Sequence, residues 1–180
     1  MRLWTIQDEF IYNIIITEGK YVCDGNKSEN LEWNGFKRAY NWLSKKMKEK
    51  IGESPNGNDY PVWAWSSKPD LRKSCWEAKG KKCVLLEIEI DDKDVFITDF
   101  DNWHCVLNSS PFIDIDDIDE WDREYDRVER LRGEEYTKTL EESWEKIIYD
   151  EIPNNGRNVQ VTFWELKKED LISYRFFTAR

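Results

Sequence analysis

Tyr60-Pro61-Val62-Trp63-Ala64-Trp65 alternates in strand fashion, with Trp63 and Trp65 on one face and Val62 and Ala64 on the other. Pro61 stands at the start, where a missing N–H does least harm. Cys83–Ile90 reads the same way: Val84, Leu86, Ile88 and Ile90 point to one side, Glu87 and Glu89 to the other. Ser67-Lys68-Pro69-Asp70-Leu71-Arg72 between them reads as a loop, and Lys79-Gly80-Lys81-Lys82 as a turn.

Upstream, Met1–Gln7 is a short strand. Phe10, Ile11, Ile14 and Ile15 recur at helical spacing, so Glu9–Glu18 is a helix, with Asp8 as N-cap and Gly19 as its stop. Tyr21-Val22-Cys23 is extended. A longer helix follows, capped by Ser28 or Asn30 and running to Ile51. Leu31, Phe36, Tyr40, Leu43, Met47 and Ile51 share its apolar face, and Lys37, Arg38, Lys45, Lys46, Lys48 and Lys50 its basic one. Gly52 and Pro55-Asn56-Gly57-Asn58 end it in a loop. Downstream, Val95–Thr98 is extended and Trp103–Leu107 a helical turn. Glu120–Arg132 and Glu135–Tyr149 are helices, Pro153-Asn154-Asn155-Gly156 a loop, Asn158–Leu166 a strand, Lys168–Ile172 a turn and Ser173–Thr178 the last strand. Strand, helices, strands, helices, strands is a mixed α+β order, not a βαβ alternation. The expectation is one α+β domain over residues 1–180, its twisted, mainly antiparallel sheet flanked by helices.

Composition narrows the function. The 180 residues carry a net charge of −10, which argues against direct nucleic-acid binding and against anionic membrane surfaces. Ten Trp, eight Tyr and eight Phe are too much aromatic surface for a disordered chain. No apolar run exceeds four residues, and the start lacks a signal-peptide pattern, so the expected location is cytoplasmic, without a membrane span. Cys23, Cys75, Cys83 and Cys105 form no CxxC pair, and His104 is the single histidine. Reduced, mostly buried thiols are expected, and no metal site.

Three stretches are candidate sites. Trp63 and Trp65, with Ser66, Ser67 and Arg72 nearby, suit stacking on a planar ring; the competing use of the indoles is as core. Asp99-Phe100-Asp101-Asn102-Trp103-His104 gathers two carboxylates and an imidazole able to act as acid or base near neutral pH. Its competing use is structural, with Asp99 or Asp101 capping a helix and His104 buried and hydrogen-bonded. Asp114–Asp126 holds eight acidic residues and one basic, Arg123. It lacks the glycine of a calcium loop and reads as a solvated face or a dock for a basic partner.

Several segments together resemble the bacterial and phage proteins of domain-of-unknown-function family 3841. They are Leu3–Gln7, Tyr60–Trp65, Lys68–Arg72, Thr98–His104, Val106–Asn108, Trp144–Ile147 and Val159–Leu166. That resemblance implies a small soluble domain without an assigned reaction. A weaker one is to the ADP-ribosyltransferase-like fold, which would put Trp4 or Thr5 on the first strand, Tyr60 or Trp63–Ser66 on the second, and Gln160 or Glu165 on the last. Trp4 and Thr5 are not the Arg or His of that family's first place, and Gln160 is an amide where it has a carboxylate. This second resemblance implies a nucleotide or ADP-ribose-like ligand, with NAD as the cofactor, bound without turnover.

The resulting expectation is a cleft lined by Trp4, Gln7, Tyr60, Trp63, Trp65, Arg72 and Gln160. An indole would stack on the ring, Arg72 would pair with phosphate, and the two amides would orient the ligand. Were there turnover, it would be ADP-ribosyl transfer from NAD, with Glu165 or Asp101 as the carboxylate and His104 as acid or base. The alternative is a non-enzymatic interaction protein, of phage or mobile-element type, that engages a basic protein partner or mimics nucleic acid through Asp114–Asp126.

Overall fold

The computed structural model describes residues 1–25, 36–55, 57, 60–74, 77–154 and 158–180. The caps Ser28 and Asn30, together with Leu31, Asn56, Asn58, Cys75, Asn155 and Gly156, lie outside these residues. The chain runs β1 (Arg2–Asp8), α1 (Glu9–Glu18), β2 (Lys20–Val22), α2 (Lys37–Ile51), β3 (Val62–Trp65), β4 (Lys82–Glu89) and β5 (Phe96–Asp99). It continues through α3 (Phe100–Leu107), α4 (Ile118–Glu129), α5 (Gly133–Trp144), β6 (Ile148–Tyr149), β7 (Val159–Phe163), β8 (Glu165–Lys167) and β9 (Leu171–Thr178). Seven strands form one sheet in the order β6-β5-β7-β3-β1-β4-β9, every neighbouring pair antiparallel. β2 and β8 make a separate antiparallel pair. The domain is thus α+β with an antiparallel sheet, as the order of elements implies.

Register assigns each side chain a face, because residues directly opposite one another point the same way. Trp4 opposes Trp65, Trp65 opposes Gln160, and Gln160 opposes Thr98, so these four share one face. The other face carries Leu3, Val62, Ala64, Val84, Leu86, Ile97 and Val161, which meet Ile11 and Ile15 of α1 in the first core. The second core lies on the Trp65 side. There Trp42, Leu43 and Met47 of α2, Trp103 of α3, Val128 of α4, and Leu140 and Trp144 of α5 close over Phe96 of β5. Trp63 of β3 and Ile148 of β6 fringe this core, but β1, β4 and β9 contribute nothing to it among the described residues. The helical layer therefore covers half of one sheet face.

Several boundaries differ from the periodicity reading. α3 starts at Phe100 rather than Trp103, because the Asp99 carboxylate accepts the Asn102 N–H at 3.0 Å and nucleates the first turn. α4 starts at Ile118 because Asp117 caps it in the same way, accepting from the Glu120 N–H at 2.9 Å. The last long helix stops at Trp144, since Ile148 and Tyr149 pair with β5 as an edge strand. The stretch read as one strand, Asn158–Leu166, is two. Trp164 is buried, and its indole N–H donates to the Gly52 carbonyl at 2.8 Å, which bends the chain out of the main sheet and into β8. β9 begins at Leu171, not Ser173. Asp8 precedes α1 but makes no side-chain cap; its carboxylate pairs with Lys81 at 2.6 Å.

Trp144 anchors the helical layer. It is fully buried, donates its indole N–H to the Ser110 carbonyl at 2.8 Å, meets Trp42 edge-on at 5.5 Å and carries the Arg38 guanidinium 5.1 Å from its ring centroid. Trp144→Ala is expected to lower unfolding free energy by about 3–5 kcal/mol in a urea titration.

Candidate functional site

Strand β3 lies at the margin of the helical layer, so its two indoles are half covered. Trp63 leans toward the helices and packs on Trp103 at 5.4 Å and Tyr40 at 6.3 Å. Trp65 meets Phe100 edge-on at 4.8 Å, and Phe100 in turn meets His104 at 5.2 Å. The Asp99 cap holds Phe100 there; this buried carboxylate also accepts the Tyr149 hydroxyl at 2.8 Å. Beside the indoles lies a cavity of about 730 Å³, within the range of small-molecule sites. Ile6, Gln7, Trp63 and Trp65 line it from the sheet, Phe100 and Asn158 from one side, and Lys68, Asp70, Lys73 and Glu77 from the loop after β3. Tyr21 and Cys23 complete its far end.

Charge in this cavity is unevenly compensated. The Arg72 guanidinium grips Asp70 through three hydrogen bonds, Nε to Oδ1 at 2.9 Å and to Oδ2 at 3.2 Å, and Nη2 to Oδ2 at 2.8 Å. With the Arg72 backbone N–H at 3.0 Å, these hold the Asp70 carboxyl well below the usual range, at about 2. Glu77 is paired with Lys81 at 2.9 Å, and Lys81 also holds Asp8. Hydrogen bonds to those two carboxylates, Asp8 first, push the Lys81 ammonium up. Both acids of the wall thus have a cationic partner, Glu77 sharing its own with Asp8, whereas Lys68 and Lys73 form no ion pair among the described residues.

Two amides line the cavity in fixed orientations, Asn158 beside Phe100 and Gln7, opposite Val84, from the sheet face away from Trp65. The Thr5 hydroxyl donates to the Trp63 carbonyl at 2.7 Å, so its oxygen can only accept from Gln7, whose amide nitrogen donates at 2.7 Å. Asn158 donates its amide nitrogen to the Asp101 carboxylate at 3.1 Å. Each amide therefore keeps its carbonyl oxygen as a remaining acceptor.

The structure gathers some of the sequence-derived residues and separates others. Gln7, Trp63 and Trp65 line the cavity. Trp4 lies outside the lining, beside Trp65 on the sheet and under the Arg2 guanidinium; its indole N–H is buried and has no partner among the described residues. Gln160 is only 9% exposed, between Trp65 and Thr98 in the sheet. Tyr60 is covered by Gly25, where a Cβ would come within 2.2 Å of the ring. Arg72 is 84% exposed and lines a different hollow on the far side of its loop. Glu165 stands in β8, outside the cavity, between Lys20 at 3.0 Å and Lys167 at 3.3 Å. Burial alone would raise its carboxyl, but the two ammonium groups outweigh that and hold it below the usual range. Asp101 reaches the rim only through Asn158, and His104 is exposed, with Nδ1 near the Phe100 and Asp101 carbonyls. The structural use of the Asp99–His104 stretch holds for Asp99, the cap, whereas His104 is not buried.

Lys68, Lys73, Phe100 and Asn158 were not singled out as ligands from the sequence. Phe100 and Asn158 stand together because the Phe100 N–H donates to the Asn158 carbonyl at 2.8 Å, a pairing across 58 residues that no local pattern announces. Among the described residues there is no group of three or more His, Cys, Asp or Glu placed to hold a metal, and no helix long and apolar enough to cross a membrane.

Two measurements follow from this geometry. Burial pushes the Cys23 thiol up, so little thiolate is present at about pH 8. Mass-spectrometric mapping should show iodoacetamide modifying Cys23 more slowly than a free cysteine peptide. Asp99→Ala removes a cap and leaves the Tyr149 hydroxyl without its acceptor, and is expected to cost about 1–3 kcal/mol in denaturant titration. Exposed His104→Ala should stay within about 0.5 kcal/mol of the parent.

No curated protein and no solved structure matches the chain. One family does, described as a domain of unknown function (DUF3841), over residues 2–172 of 180, and the chain belongs to that family.

Proposed function

We propose that the cavity beside Trp65 binds a nucleotide-like molecule, an aromatic ring bearing amino donors and an anionic arm, and holds it without turnover. The observation that carries this reading is the pair of lysines, Lys68 and Lys73, left without ion pairs among the described residues in a wall whose two acids, Asp70 and Glu77, each have another cationic partner. They offer phosphate a cationic margin within reach of an indole suited to stacking. The amide oxygens of Gln7 and Asn158 would accept from an exocyclic amine or carboxamide, as on adenine or nicotinamide. The weaker sequence resemblance to the ADP-ribosyltransferase-like fold, which no comparison supports, adds NAD and ADP-ribose to the ligands to test. Absence of turnover is favoured by the placement of Glu165 away from the cavity and by the raised thiol of Cys23, a poor nucleophile.

A thermal-shift screen with NAD, ADP-ribose, AMP and cyclic nucleotides tests this. A ligand at a hundredfold excess over its Kd adds about 2.7 kcal/mol of stability. The shift should vanish in Trp65→Ala, shrink in Lys68→Ala, Lys73→Ala and Arg72→Ala, the last because Asp70 loses its cation, and survive Glu165→Gln, with NAD recovered intact. If no member of the panel shifts the transition, or Trp65→Ala responds like the parent, the reading is wrong.

A second reading rests on α4. Val128 is its one buried residue, and Ile118 at its start is 74% exposed. A partner seated there would cover Ile118 and meet Asp116, Asp117 and Asp119. Arg127 and Arg130 already pair with Glu124 and Asp126, which leaves the start of the helix as the most acidic part. This reading requires a salt-sensitive complex that is lost when those three Asp become Asn.

A further inference from the structure

The two ends of the main sheet differ. β6 is two residues long, whereas β9 is eight residues long and pairs only with β4 among the described residues. A long free edge carries backbone donors and acceptors able to take another strand, and natural proteins usually shield it with charge, proline or brevity. β9 has one charge, Arg175, and on its other face Ile172, Tyr174 and Phe176. Tyr174 is 54% exposed and Phe176 46% exposed, and both rest on Tyr12 of α1, at 4.6 and 5.2 Å. Exposed large aromatics side by side on an edge mark an interaction surface.

The opposite face of the same strand carries Ser173, Arg175 and Phe177, and the hollow over it is basic. Arg175 opposes Leu85, on the face that the loop after β3 overhangs, and a hollow of about 610 Å³ lies between that loop and β9. Lys68, Arg72, Arg175 and Arg180 line it, and the one acidic side chain there is Asp70, already held by Arg72. Lys68, Arg175 and Arg180 have no ion pair among the described residues, and the nearby Glu87 is taken by Arg2 and by the Ser173 hydroxyl. In a chain of net charge −10 this is a local reversal of sign. Strand geometry converts the two faces into a sequence requirement, since side chains of an added strand alternate between them. Acidic side chains would fall on the Arg175 face and apolar ones on the Tyr174–Phe176 face.

We infer that β9 is a docking edge for an extended partner segment alternating acidic and apolar residues, added to the sheet as an eighth strand. Charge complementarity selects the acidic partner over the β9 of a second copy, because antiparallel self-pairing about Arg175 would set like charges opposite each other.

Fluorescence anisotropy with a labelled peptide of alternating aspartate and isoleucine tests the inference. Three control peptides are used: the same composition with the aspartates grouped, alternating lysine and isoleucine, and the first sequence with two isoleucines replaced by proline. The alternating acidic peptide should bind, more weakly at high salt, and at least about tenfold better than each control. Arg175→Glu and, separately, Phe176→Ser should each weaken it by about tenfold or more. Trp65→Ala should leave it unchanged, which keeps this edge distinct from the nucleotide cavity. Absence of binding, equal binding of the grouped or proline peptide, or indifference to Arg175→Glu would overturn the inference. So would self-association of the protein alone, lost in Arg175→Glu, which would make a second copy the occupant.

Discussion

The constraint on which the rest depends is the reach of the helical layer. Helices α2–α5 close over Phe96 and the inner edge of Trp63, and no residue of β1, β4 or β9 enters their core among the described residues. A sheet face left open exposes apolar area at roughly 25 cal/mol per Å², so the remaining half must be covered by something else. The loop after β3 takes that part. Leu85 is buried, and the residues beside it in the hollow come from that loop and from β9. A loop packs less completely than a helix, and both hollows lie along it, with Lys68, Pro69 and Asp70 lining each.

Asp70 is the pivot of that loop. Its carboxylate accepts the Arg72 backbone N–H at 3.0 Å, its carbonyl accepts the Lys73 N–H at 3.1 Å, and its side chain grips the Arg72 guanidinium. This local turn directs Arg72 outward and leaves Lys73 on the cavity side. The exposed ion pair adds little to stability, but it decides which cation faces which hollow.

Strands β3 and β4, through alternation, and β1, through strand-favouring residues, are legible in the sequence, as are α1 with its Gly19 stop and the family resemblance. The α+β class followed from their order. The split of the long strand and the place of Glu165 turn on a contact between residues far apart in sequence. Nothing local reveals that Trp164 donates to Gly52, 112 residues away, and so breaks a strand in two. Glu165 was carried into β8 by that break. Trp63 and Trp65 were weighed as platform or core, and the margin of the helical layer makes them partly both: Trp63 fringes the core while still lining the cavity. Arg72 was assigned by proximity to the indoles along the chain, where the short-range Asp70 turn governs its direction.

Net charge misleads about both hollows in the same way. At physiological ionic strength charges are screened over about 8 Å, so a site responds to its neighbours rather than to the whole chain. No residue of the acidic helix lines either hollow. The carboxylates that do are held by Arg72 and Lys81. What an approaching anion meets is therefore Lys68 with Lys73 on one side of the loop, and Lys68 with Arg175 and Arg180 on the other. Lys68 is common to both, so charge placed in one hollow alters the field in the other through a single ammonium group. Occupancy of the β9 edge by an acidic strand would draw Lys68 away from the cavity beside Trp65, and an anionic ligand in that cavity would draw it back.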